Sequence, residues 1–109
     1  MALARLIEAE AAGECLTGKY LVGSVIVNRG RSKDFPRDLG CVMDQPHQFA
    51  HPADSASRES IIAAERALAS PCPGILYFYN PEESTDTSFT NRTKDCFQIG
   101  KHRFCETFK

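Results

Sequence analysis

The chain has 109 residues, enough for one domain with a single core and too few for two independent ones. Apolar residues make up 42% and charged residues 25%, ordinary for a globular domain, and the net charge of −1 with scattered basic residues argues against nucleic acid or an anionic membrane surface as partner. No apolar run approaches the ~18–20 residues that cross a bilayer, and Met1 leads straight into an amphipathic stretch without the charged segment and apolar block of a signal peptide, leaving export and an upstream segment both open.

The spacing predicts a first helix over residues 2–12, ending near Gly13, which can take the left-handed conformation that stops helices. At about 100° per residue, Leu3, Leu6 and Ile7 form an apolar stripe with Glu10 near its middle and Glu14 at its edge, whereas Arg5 and Glu8 point elsewhere. A carboxylate facing apolar packing loses hydration, which favours the protonated form and suits a general acid. The alternative is a carboxylate at the rim of the core, neutralised by an arginine or by backbone donors.

A second helix is predicted from Thr17, as N-cap, to Gly30. Its β-branched residues make a strand the rival, but Leu21, Val22, Val25 and Ile26 follow helical spacing. Arg29 lies on the same face, so its guanidinium is aimed inward and requires an anion; Glu10 and Glu14 are the candidates, and Glu14 is the expected partner because a guanidinium directly on Glu10 would favour the ionised form. Residues 31–40 read as a loop anchored by Phe35-Pro36, and residues 44–56, with two prolines and many polar groups, as a functional loop. A third helix follows over Arg58–Ala69, capped by Ser55 or Ser57, with Ile61, Ala64, Glu65 and Leu68 on one line.

The periodicity then changes. Ile75 to Tyr79 is a β-branched and aromatic run bounded by Pro73-Gly74 and Asn80-Pro81, which marks a strand, with Tyr77 and Tyr79 on one face and Phe78 on the other. Phe97, Ile99, His102 and Phe104 lie in a second extended stretch interrupted at Gly100-Lys101, able to pair with the first, and residues 82–95 read as a long polar loop. Three helices with a small antiparallel sheet near the C-terminus make a single α+β domain over residues 1–109.

Five cysteines, Cys15, Cys41, Cys72, Cys96 and Cys105, leave at least one unpaired within the chain, and sequence does not distinguish disulfides from buried thiols. His47-x-x-x-His51 with Cys41 upstream has a spacing zinc can use, but no second close pair of ligands follows and two prolines break the helix it would need, so no metal or cofactor is assigned.

Several of these segments, in order, resemble the spore cortex-lytic and cell wall hydrolase family (SleB/CwlJ type). Glu10-Ala-Ala-Gly-Glu14 is similar to its Glu-Ala-x-Gly-Glu motif, and Val25-Ile-Val-Asn-Arg29 to its Val-Ile-x-Asn-Arg. Phe35-Pro36, Val42, Gln45 and Gln48-Phe49 resemble its central loop, and Leu76-Tyr-Phe-Tyr-Asn80 and Ile99-Gly-Lys-His-Arg-Phe104 its late motifs. Two departures stand out: the chain has no tryptophan in the late aromatic stretch, offering Phe89 and Arg92, and Cys105 takes the position of a closing tyrosine.

The resemblance implies a lysozyme-like fold, location at the cell wall or spore coat and cortex, and peptidoglycan glycan strands as substrate, cut at the β-1,4 bond between N-acetylmuramic acid and N-acetylglucosamine. It implies Glu10 as catalytic acid. Glu14 is assigned a supporting role beside Arg29, and Asn28, Gln45 and Gln48, with Phe49 in the same loop, are candidates for holding sugar acetamido and hydroxyl groups. Tyr77 and Tyr79 offer aromatic faces with polar tips for pyranose stacking. His102 matches a motif but suits a hydrogen-bonded structural residue as well. Two other readings remain open: a glycan-binding or coat protein that does no chemistry, and a Cys-His hydrolase using Cys96 or Cys105 with His102.

Overall fold

A computed structural model describes residues 2–31, 53–79 and 93–108. Among them are three helices, α1 (Ala2–Ala11), α2 (Leu16–Arg31) and α3 (Arg58–Ala69), and three strands, β1 (Tyr77–Tyr79), β2 (Thr93–Ile99) and β3 (His102–Phe108). The predicted α+β arrangement is what forms.

Helix α2 is the spine. Every residue from Leu21 to Val27 is buried, as are Gly18, Lys19 and Arg29, so apolar side chains are needed all round and the β-branched composition that imitates a strand follows from burial on several sides. Its cap is Cys15, not Thr17: the Cys15 carbonyl accepts from Lys19 N–H at 3.0 Å and its Sγ from Gly18 N–H at 3.5 Å. Helix α1 buries Leu3, Ala4, Leu6, Ile7 and Ala11 against α2. It stops at Ala11, where Glu14 N–H closes a turn on the Ala11 carbonyl and Gly13 adopts φ +84°.

Helix α3 begins at Ser57, whose hydroxyl accepts from Ser60 N–H. The line through Ile61, Ala64, Glu65 and Leu68 is not its inward face. Ser60, Ala63, Ala64 and Ala67 are buried, whereas Ile61 and Leu68 are each 38% exposed and Glu65 is exposed. At the closest approach the reason is steric: a Cβ on Gly23 of α2 would lie 2.9 Å from Ile7 Cδ1 and 3.1 Å from the Ala67 methyl, so α3 presents no more than a methyl group there.

The sheet is antiparallel in the order β1-β3-β2. β2 and β3 form a hairpin through Gly100-Lys101, with Gly100 at φ +61°, and β1 pairs Tyr77, Phe78 and Tyr79 with Cys105, Phe104 and Arg103. The second extended stretch is therefore two strands. Phe104 is fully buried, with Phe78 at 6.2 Å and Phe97 at 5.7 Å between ring centroids. No helix among the described residues is long and apolar enough to cross a membrane.

Candidate active site

Glu10 occupies the last turn of α1 and is half-buried. Ala11 rather than Glu10 takes the innermost position there, so the carboxyl sits at the margin of the helical core. Glu8, predicted to point elsewhere, faces the start of α3. Its Oε1 accepts from Ser57 N–H at 2.8 Å and from the Ser60 hydroxyl at 2.9 Å, while the Ser57 hydroxyl is itself turned to Ser60. The donors at the start of α3, those of Ser57 first and then Ser60, lower the pKa of the Glu8 carboxyl to about 2, with buried Lys19 adding a weaker attraction.

Glu14 lies beyond the end of α1, so it does not stand one helical turn above Glu10, and its expected pairing with Arg29 is not formed. Its Oε1 accepts from Lys101 N–H at 2.7 Å and lies 3.1 Å from His102 Nδ1. The carboxylate rests against Gly100, where a Cβ would come within 2.6–2.9 Å of it. A side chain in the α1–α2 connection thus clasps the β2–β3 turn. His102 is buried beside Phe78, ring centroids 5.5 Å apart, in the hydrogen-bonded role that sequence left as one of two options.

Arg29 is inward as predicted, at 5% exposure, but its partners are in the β1 region: Nε–H donates to the Leu76 carbonyl at 2.7 Å, and the guanidinium carbon lies 5.3 Å from the Tyr77 ring centroid. Burial lowers its pKa to about 10. Asn28 donates its side-chain NH2 to the carbonyls of Cys72 and Ile75 at 2.8 and 2.9 Å, leaving its own carbonyl oxygen for any sugar contact. Together they fix the chain as it approaches β1. Tyr77 and Tyr79 are half-buried on the sheet face opposite Phe78, as the alternation predicts.

Gln45, Gln48 and Phe49, with Cys41, His47, His51, Phe89 and Arg92, lie outside the described residues. Among the described residues no three His, Cys, Asp or Glu side chains gather as metal ligands. Cys96 and Cys105 face each other across β2 and β3 and form a disulfide, Cα atoms 4.1 Å apart. Neither is a thiol nucleophile in this state, and His102 is engaged by Glu14, so the Cys-His hydrolase has no reacting sulfur. A groove of about 400 Å³ between α2 and α3, lined by Leu16, Thr17, Tyr20, Arg66, Ala69 and Ser70, contains none of the predicted site residues.

The sequence pattern of a family described as Cell Wall Hydrolase matches residues 13–105, a span that starts just after Glu10. A spore cortex-lytic enzyme of Halalkalibacterium halodurans is 31% identical over 94% of this chain, and the chain spans about a third (33%) of that relative's length. The catalytic domain of the germination-specific lytic transglycosylase SleB from Bacillus anthracis superposes with a TM-score of 0.84 at 28% identity, covering 95% of this chain and 90% of that one. The catalytic domain of Bacillus cereus SleB gives 0.83 at 28% identity, covering 95% and 86%.

Proposed function

Since the chain belongs to the cell wall hydrolase family and has its lysozyme-like α+β fold, we propose that it cleaves peptidoglycan glycan strands at the β-1,4 bond between N-acetylmuramic acid and N-acetylglucosamine, with Glu10 as general acid. The observation that carries this is the likeness of nearly the whole chain to two lytic enzyme catalytic domains, with Glu10 half-buried at the end of α1. The same relatives favour spore cortex as the setting.

Glu10 donates its proton to the glycosidic oxygen as the bond to the anomeric carbon breaks, because an alkoxide is a poor leaving group. Positive charge builds on the sugar. The C6 hydroxyl of the muramic residue then attacks that carbon and returns a proton to Glu10, closing a 1,6-anhydro ring without a second carboxylate. The other outcome is attack by water, which leaves a reducing muramic end. Glu14 favours the first route: it is spent on Lys101 and His102, so the carboxyl nearest in sequence on the C-terminal side is not free to act as nucleophile or second base.

Incubation with purified peptidoglycan and mass spectrometry of the fragments tests the proposal. Anhydro-muramic ends are expected; reducing ends would move the mechanism to hydrolysis, and intact glycan would remove the glycosidase assignment. Glu10→Gln should cut at least ~10²-fold more slowly, within the range that general acid–base catalysis contributes, with an unchanged circular dichroism spectrum. Full cleavage by that variant refutes Glu10 as the acid, and a protein that only binds glycan would bind equally well with either residue.

A further inference from the structure

β3 is the central strand, and its side chains alternate between two environments. His102 and Phe104 enter the core, whereas Arg103 and Cys105 belong to the opposite face, where the register sets Arg103 between Tyr79 of β1 and Gln98 of β2, and Cys105 beside Tyr77. That face therefore carries two tyrosines, a glutamine and a guanidinium.

The two arginines associated with it are in different states. Arg29 delivers its Nε–H to the Leu76 carbonyl, which satisfies it. Arg103 is half-buried, its Nε is buried, and that nitrogen has no hydrogen-bond partner. The Glu14 carboxylate is engaged by Lys101 N–H and His102 Nδ1 rather than by Arg103. An N–H of a charged group kept from water without an acceptor is costly, and a ligand held by the rest of that group is one reason a fold retains it. Burial of Nε holds the guanidinium in one orientation, and its two terminal amino groups form a parallel donor pair that matches both oxygens of a carboxylate.

We infer that Arg103 is a carboxylate-binding residue on the tyrosine face of the sheet. Resting on the glycan-cleaving function proposed above, the ligand is a carboxylate carried by the muramic acid units, either the free lactyl carboxylate of units without a peptide or a carboxylate on the peptide that is amide-linked to the lactyl group elsewhere; the sugar rings themselves are neutral. Arg103 distinguishes strands that carry this charge from strands that do not.

The test compares steady-state cleavage by the parent, Arg103→Gln and Arg103→Lys on intact strands and on strands whose carboxylates have been converted to neutral amides with carbodiimide and ammonia. Amidation should raise the parent's KM about tenfold or more with little change in kcat, the size expected for losing a charge-assisted hydrogen bond. Arg103→Gln should already show the raised KM on intact strands and gain no further penalty from amidation, and Arg103→Lys should fall between. If the parent ignores amidation, or if Arg103→Gln responds to it as strongly as the parent, Arg103 is not the carboxylate's partner. Strands stripped of peptide by an amidase, which frees the lactyl carboxylate, separate the sources: discrimination retained assigns the lactyl group, and discrimination lost assigns the peptide. Failure of the parent to cut any strand removes the glycosidase proposal and Arg103's role with it, whereas cutting without charge dependence removes the second alone.

Discussion

Three acidic residues within seven positions have three separate environments, and charge alone would not have divided them. Glu8 is fixed by donors at the start of α3, Glu14 by the hairpin, and Glu10 lies between them at the margin of the helical core. Glu8 has a measurable signature. Its folded-state pKa of about 2 lies below the ordinary 4.5, so its contribution to stability is complete above the unfolded value and is lost as pH falls through the folded one. Thermal melts from neutral pH downward should show Glu8→Gln less stable than the parent above about pH 4.5, with the two curves converging as pH approaches about 2. A constant gap between them across that window would mean that hydrogen bonding to Glu8 is not tied to its charge. Glu10→Gln should leave this profile unchanged, because the donors concerned are on Ser57 and Ser60.

At the level of elements, the hairpin turn is where local and tertiary demands meet. Gly100 adopts φ +61° and lies against the Glu14 carboxylate, so a methyl group there meets both backbone strain and a collision. Gly100→Ala should cost about 1–3 kcal/mol in denaturant unfolding. Gly100→Ala combined with Glu14→Ala should cost less than the sum of the two single changes, since the collision is then gone. Strict additivity would show that Glu14 does not press on the turn.

The same turn explains what sequence could and could not disclose. A two-residue loop at Gly100-Lys101 pairs Ile99 with His102 and, counting outward, Cys96 with Cys105, so the disulfide was latent in the turn position once both flanks were treated as strands. Helix positions were legible because apolar spacing reports burial. The inner face of α3 was not, because Gly23 brings α2 so close at Ala67 that a methyl group is buried there while Ile61 and Leu68 stay exposed, reversing the usual link between size and burial. The inward aim of Arg29 was legible from spacing, but its acceptor, a backbone carbonyl, leaves no mark in side-chain composition.

Across the whole molecule the helices hold the sheet at two separated points. Glu14, just before α2, clasps the β2–β3 turn; Asn28 and Arg29, near the end of α2, hold the carbonyls of Cys72, Ile75 and Leu76 where the chain approaches β1. At 1.5 Å per residue the 16 residues of α2 span about 24 Å, so the two ties sit near opposite ends of one rod and resist rotation of the sheet as a single tie would not. Asn28→Asp tests the second tie with almost no change in volume. It replaces a donor bonded to two carbonyls by an acceptor facing the same oxygens, which should destabilise the fold by about 2 kcal/mol or more. If the orientation of β1 relative to Glu10 matters for glycan binding, the folded fraction of Asn28→Asp should also show a raised KM with a smaller change in kcat, because loosening this tie would shift Tyr77 and Tyr79 and leave Glu10 in place. A variant that loses stability but keeps the parent's KM would show that the tie supports the fold alone.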